Sequence, residues 1–128
     1  LIIYQPGNES LKGTSNKIIQ QIDVMPTLLR MMHYPKPFVA YGKNVLDNNS
    51  LNFAVSYGGG YRWIEDDYLL FFDGKNAKGL FNYKKDRLFQ NNLVATFPEQ
   101  VKKMETNVKA FIQQYNNRLI RNQLTYPK

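Results

Sequence analysis

The sequence predicts an α+β fold: a four-stranded antiparallel sheet with a long C-terminal amphipathic helix across it. Three observations predict it. Short runs rich in aromatic and β-branched residues recur at Phe53–Tyr57, Tyr61–Glu65, Tyr68–Phe72 and Leu80–Tyr83, separated by Gly58-Gly59-Gly60, Asp66-Asp67 and Asp73-Gly74-Lys75-Asn76. Short strands punctuated by turn residues read as a meander. From Pro98 to about Gln123, Val101, Met104, Val108, Phe111, Ile112, Tyr115 and Leu119 follow at steps of 3, 4, 3, 1, 3 and 4, one apolar stripe of a helix. Finally, 128 residues with 43% hydrophobic and 14% aromatic content are enough for a packed core.

The first half of the chain is less regular. Leu1-Ile2-Ile3-Tyr4 is an apolar run ended by Pro6-Gly7 and reads as a buried strand followed by a turn. Residues 7–17 are a polar loop, and Ile18, Ile19 and Ile22 favour extended backbone. A helix running from Lys17 through Pro26 would lose a backbone hydrogen bond, at a cost of about 3 kcal/mol or more. A helix starting at Asp23 avoids this, with Asp23 as N-cap and Pro26 in the first turn, where N–H groups lack partners anyway. Leu28, Leu29, Met31 and Met32 then form its buried face, and Pro35-Lys36-Pro37 stops it.

Composition narrows the chemistry. The chain has no Cys and one His, which excludes disulfides, thiolate metal sites, Cys nucleophiles and any site needing two imidazoles. The net charge of +7 is uneven: residues 1–74 hold six Lys/Arg and seven Asp/Glu, residues 75–128 eleven and three. A basic half suits nucleic acid, anionic lipid or anionic glycan, or is a solvated Lys-rich surface. No helix-turn-helix, zinc-finger or RNA-binding signature accompanies it, so no nucleic acid is expected. No apolar run reaches the roughly 18 residues of a membrane-spanning helix.

His33, at the end of the first helix, reads as a cation suited to the helix dipole, with a ligand or base role as the alternative. Glu65, Asp66 and Asp67 are the one acidic cluster and read as a solvated turn. Tyr57, Tyr61 and Arg62 flank the triple glycine and are the candidate substrate-binding residues; Arg62 carries a fork of donors that suits an anionic ester or glycan group. No catalytic residue and no metal ligand is assigned.

Two stretches together resemble one family. Gln21-Ile22-Asp23-Val24-Met25-Pro26-Thr27-Leu28-Leu29, preceded by Leu1-Ile2-Ile3-Tyr4-Gln5-Pro6-Gly7, resembles the "P-L-I-I-Y-x-P-G … I-D-I-x-P-T-L-L" segment of sulfatases and of lipoteichoic-acid-synthase-like phosphoglycerol transferases, both of the alkaline phosphatase superfamily. Gly42-Lys43-Asn44-Val45-Leu46 is similar to the "G-x-S-L-L" that follows, with Asn44 for Ser. Gly79-Leu80-Phe81-Asn82-Tyr83-Lys84-Lys85-Asp86 through Asn91-Asn92-Leu93 is similar to the C-terminal "E-L-Y-D-L-x-x-D-P-x-E-x-x-N-L", with Asn82 for the first Asp and Arg87 for Pro.

The resemblance implies that the chain is the C-terminal part of an α/β alkaline-phosphatase-like enzyme. Residues 1–51 would be the tail of its large catalytic domain, and residues 52–128 a small subdomain of sheet plus helix. The family hydrolyses or transfers sulfate or phosphate esters with a divalent metal and a Thr, Ser or formylglycine nucleophile. These residues lie upstream of the segment that Leu1–Tyr4 resembles, so none is carried over, no cofactor is expected in this chain, and the chain alone is expected to be inactive. Phosphoglycerol-transferase-like parents are usually membrane-anchored with the catalytic domain outside the cytoplasm. The expected partner is the remainder of the parent, with self-association through the N-terminal strand as a further expectation. A different class, a freestanding basic module for anionic glycan, lipid or nucleic acid, is the alternative.

Overall fold

A computed structural model of the chain describes residues 1–126. The sheet strands are β1 (Phe53–Tyr57), β2 (Tyr61–Glu65), β3 (Tyr68–Phe72) and β4 (Ala77–Asn82), antiparallel in the order β1-β2-β3-β4. Helix α1 (Val24–Met31) precedes them and helix α2 (Pro98–Ile120) follows. The predicted α+β class and the antiparallel sheet with its long helix are therefore present.

Register explains the core. Val55 pairs with Trp63 and Trp63 with Leu70, which in turn pairs with Leu80, so one row of side chains crosses all four strands on the face under α2. Trp63, Leu70, Phe72 and Leu80 are buried there with Phe53 against Met104 and Val108 of α2. Phe53 and Trp63 stack face to face, with ring centroids 4.5 Å apart. The apolar stripe of α2 is buried at Met104 and Val108 and half-exposed at Tyr115 and Leu119. At 1.5 Å per residue the 23-residue helix is about 35 Å long, roughly twice a five-residue strand, so its last turns overhang the sheet. Tyr41, from the loop before β1, packs there instead, 5.3 Å from Tyr115.

The second face has its own cover. Phe71 and Phe81 meet the ring of Phe89 at 6.2 Å and 5.5 Å, closing a three-ring cluster outside Leu69. Strand β4 begins at Ala77, three residues before the expected Leu80, and includes Gly79. Gly79 reads as a breaker in sequence, yet a Cβ there would lie 2.5 Å from the Phe81 ring, so the missing side chain makes room for that ring.

Both outer strands have some of their outward backbone groups engaged by side chains or loop backbone. On β1, Val55 N–H donates to Gln20 Oε1 at 2.9 Å. On β4, Leu80 N–H donates to Asn92 Oδ1 at 3.1 Å, Asn92 Nδ2 donates to Lys78 O, and Leu93 N–H donates to Leu80 O. Asn92 and Leu93 thus sit along β4 as a partial fifth strand.

Four expectations for the N-terminal half are corrected. The apolar face of α1 is not buried: Leu28 and Met32 are exposed, Leu29 and Met31 are half-buried, and the helix instead buries Pro26 and Thr27 on the polar node beside Gly42. Leu1–Tyr4 is not a buried strand: it pairs with nothing among the described residues, and Ile2 is 94% exposed. An apolar run needs a ladder partner to become a strand, and none is within reach. Ile18–Ile22 is extended only to Gln20; Gln21–Asp23 is a 3-10 turn. Asp23 does not cap α1 with its side chain. Its carboxylate turns back to accept from Gln20 N–H at 3.0 Å, and this tightens the turn before the helix.

Both helices end alike. The N–H groups of His33 and Tyr34 donate to the carbonyls of Arg30 and Leu29, and those of Asn122 and Gln123 to Leu119 and Arg118. Each is a Schellman ending, with His33 at φ 51° and Asn122 at φ 52° in the left-handed position that usually takes glycine. The role of His33 is thus set by its backbone, a position the helix-dipole argument did not identify.

Candidate functional site

The β1–β2 hairpin places Tyr57 opposite Tyr61 and Ser56 opposite Arg62. Side chains alternate across a strand, so the candidate trio divides. Tyr57 and Tyr61, with ring centroids 4.9 Å apart, share the α2 side, where Tyr61 lies 6.4 Å from Phe72. Arg62 projects to the other face, its guanidinium 5.8 Å from the Phe71 ring centre. The three residues share one end of the sheet: Tyr57 and Tyr61 pack on each other, Arg62 lies on the opposite face, and Tyr61 and Arg62 both border the cleft at that end.

Beside Arg62 is a shallow cleft of about 200 Å³, lined by the triple glycine, Arg62, Phe71, Asp73 and Lys78. Gly59, at φ 74°, closes the turn, and Gly58 N–H donates to Gly60 O at 3.0 Å. Asp73 Oδ1 accepts from the N–H groups of Lys75 and Asn76, each at 2.7 Å, and Oδ2 pairs with Lys78 Nζ at 3.0 Å. The Asn76 and Lys75 amides, joined by Lys78, hold the Asp73 carboxyl far below the usual carboxylate range. The Asp73-Gly74-Lys75-Asn76 turn, expected as a turn alone, also brings Asp73 and Lys78 to this cleft.

A second polar cluster is buried. Asp23 Oδ1 accepts from Lys43 N–H at 2.8 Å, and Oδ2 from Lys43 Nζ at 3.0 Å. Lys43 Nζ also donates to Phe53 O at 2.8 Å and lies 5.0 Å from the Phe53 ring centre. Thr27 Oγ1 donates to Asp23 O and accepts from Val45 N–H. Gly42 permits the approach: a Cβ there would stand 2.0 Å from Ile22 O. Every polar atom of Asp23 and Thr27 in this node is engaged within the chain. Its chemistry is that of a joint between α1, the Gly42–Leu46 segment and β1.

The acidic turn differs from expectation. Glu65 does not point into water. It accepts from Trp63 Nε1 at 2.9 Å and Asn107 Nδ2 at 2.8 Å, and pairs with Lys103 at 2.7 Å, tying β2 to α2. Burial pushes the Glu65 carboxyl up, but the hydrogen bonds from Lys103, Trp63 and Asn107 outweigh it and hold the group below its ordinary value. Asp66, at φ 54°, makes the tight hairpin turn, and Asp67 pairs with Lys84.

Among the described residues no group of three or more His, Cys, Asp or Glu side chains is placed to hold a metal ion. No helix among them is long and apolar enough to cross a membrane. Neither the protein-family models nor the curated proteins compared with the chain match it.

Proposed function

We propose that this chain is the C-terminal portion of a sulfatase-like, metal-dependent enzyme that hydrolyses sulfate or phosphate esters or transfers phosphoglycerol, and that the chain has no turnover by itself. The observation that carries this reading is the buried node. Two of the runs that resemble the family, Asp23–Leu29 and Gly42–Leu46, lie apart in sequence and meet there: Asp23 accepts from the Lys43 backbone, Thr27 bonds Asp23 O and Val45 N–H, and Gly42 has no room for a Cβ. The third run also has structural work: Asp86 accepts from Asn91 N–H at 2.8 Å, and Asn92 borders β4. In this reading the divalent metal and the nucleophile belong to the portion preceding Leu1, and that portion is membrane-anchored outside the cytoplasm. Leu1, Ile2, Tyr4, Met25 and Met32, all exposed, are the surface on which it packs.

The test compares two proteins on aryl sulfate and aryl phosphate with added divalent metal: this chain, and the longer protein that includes the residues preceding Leu1. Turnover by the longer protein alone, abolished by chelator, is the expected result. Turnover by the 128-residue chain overturns the reading. So does an upstream sequence without a Thr, Ser or Cys nucleophile and an Asp-His pair. Tight, salt-dependent binding of an anionic polymer by this chain, with no turnover by the longer protein, would favour a freestanding basic module.

A further inference from the structure

We infer that the cleft between the triple-glycine turn and the Asp73–Lys78 pair binds a tetrahedral oxyanion, sulfate or phosphate, with Arg62 as its principal ligand. The inference deepens the reading above and rests on it for one point, that the oxyanion in the whole protein is part of an ester.

Three features build the site. Arg62 forms no ion pair among the described residues. Its guanidinium is instead beside the Phe71 ring, a position that restrains the side chain while leaving its planar fork of donors free for two parallel hydrogen bonds to an oxyanion. The nearby carboxylate does not compete. Asp73 is saturated by the Lys75 and Asn76 amides and by Lys78, so its charge is already matched, and Lys78 leaves the cleft one positive charge in excess. The turn contributes the third feature. The N–H groups of Gly59 and Gly60 donate to no acceptor among the described residues, and both glycines line the cleft together with Arg62. A Cβ at Gly58 would touch Arg62 Nη1 at 3.5 Å, and one at Gly60 would meet Phe72 O at 3.4 Å. Glycine thus leaves this wall of the cleft without side chains beside Arg62. Backbone amides beside a guanidinium form a recurrent oxyanion cradle.

The test is an NMR titration of the 15N-labelled chain with sodium sulfate, sodium phosphate and glycerol phosphate, with sodium chloride holding the ionic strength constant. Saturable shifts are expected at the amides of Gly59 and Gly60 and at Arg62 Nε–H. Tighter binding of glycerol phosphate than of inorganic phosphate identifies an ester as the source, and equal binding identifies the free ion. Arg62→Gln is expected to weaken binding at least about tenfold, while the Trp63 indole and the Leu70 amide keep their positions. Arg62→Lys, which keeps the charge and loses the fork, should fall between the two, and carries the comparison if Arg62→Gln does not fold. Absence of saturable shifts with all three ligands overturns the site, as does unchanged binding by Arg62→Gln. Turnover by the longer protein is measured separately. Turnover without binding here overturns the site alone, whereas binding here without turnover overturns the ester reading and leaves an oxyanion site.

Discussion

Residues 1–52 and residues 53–120 are held by different physics. The second region has a continuous apolar core, with Leu70, Leu80, Met104 and Val108 fully buried between sheet and helix. The first has no comparable core. Among its described residues the most buried side chains are Asp23 and Thr27, and large apolar groups such as Ile2, Tyr4 and Met32 are exposed. Its order comes mainly from polar contacts: the buried joint Asp23–Lys43–Thr27 resting on Phe53, Lys17 bonding the Val45 and Asp47 carbonyls, and Gln20 bonding Val55, with Tyr41 packed on Tyr115. A polar joint is directional: it fixes where α1 sits relative to β1 but adds little apolar burial. The second region should therefore form without the first, while the first should depend on the second for the Phe53 carbonyl and ring that receive Lys43.

That asymmetry is testable. Lys43→Met leaves the Asp23 carboxylate buried without its cation, which should destabilise the N-terminal region by about 3–5 kcal/mol. Hydrogen exchange should show protection lost around Asp23–Val45 and retained at Leu70. Loss at both would mean the two regions are a single cooperative unit. Leu70→Ala opens a cavity in the core at a cost of about 2–5 kcal/mol and should lower protection in both regions. A selective loss in the sheet alone would reverse the proposed dependence.

A smaller effect comes from acid. Because Glu65 titrates below its ordinary value of 4.5 in the folded chain, its stabilisation is complete above that pH and is lost as pH falls through the folded-state value. Denaturant melts between pH 5 and 3 should show the sheet–helix contact weakening, and Glu65→Gln, about 1 kcal/mol less stable at neutral pH, should flatten that dependence. The smallest effect expected is His33→Gly. It relieves the left-handed backbone at the end of α1 and should stabilise the first region by roughly 0.5–1 kcal/mol, read as slower exchange at Tyr34.

Much of the second region was legible in the sequence because period and punctuation agree there. The glycine and aspartate turns bracket β1, β2 and β3 at their observed ends, and Pro98 stands at the start of α2. Strand β4 was misjudged at its start, because Gly79 counts against a strand until the Phe81 ring beside it is known. The N-terminal half was less legible, since Leu1–Tyr4 carries strand propensity with no partner to express it. The division of the candidate site was readable in principle: Tyr61 and Arg62 are neighbours on a strand, so strict alternation already sends them to opposite faces. The contributions of Asp73 and Lys78 were hidden, because they arise from the return of β4 to the same end of the sheet.

The amide side chains along the outer strands have a consequence for how copies of this chain can meet. Open sheets invite strand-by-strand growth, because unpaired backbone groups on an edge template the next strand. Here Gln20 engages one border, and Asn92 with Leu93 engages the other, before any second molecule arrives. These engaged groups oppose edge-to-edge pairing, and the exposed apolar residues near Leu1 offer a side-chain surface for association instead. Replacing Asn92 by an apolar residue would do more than loosen a loop: it would strip Leu80 N–H and Lys78 O of their partners and reopen part of the β4 border.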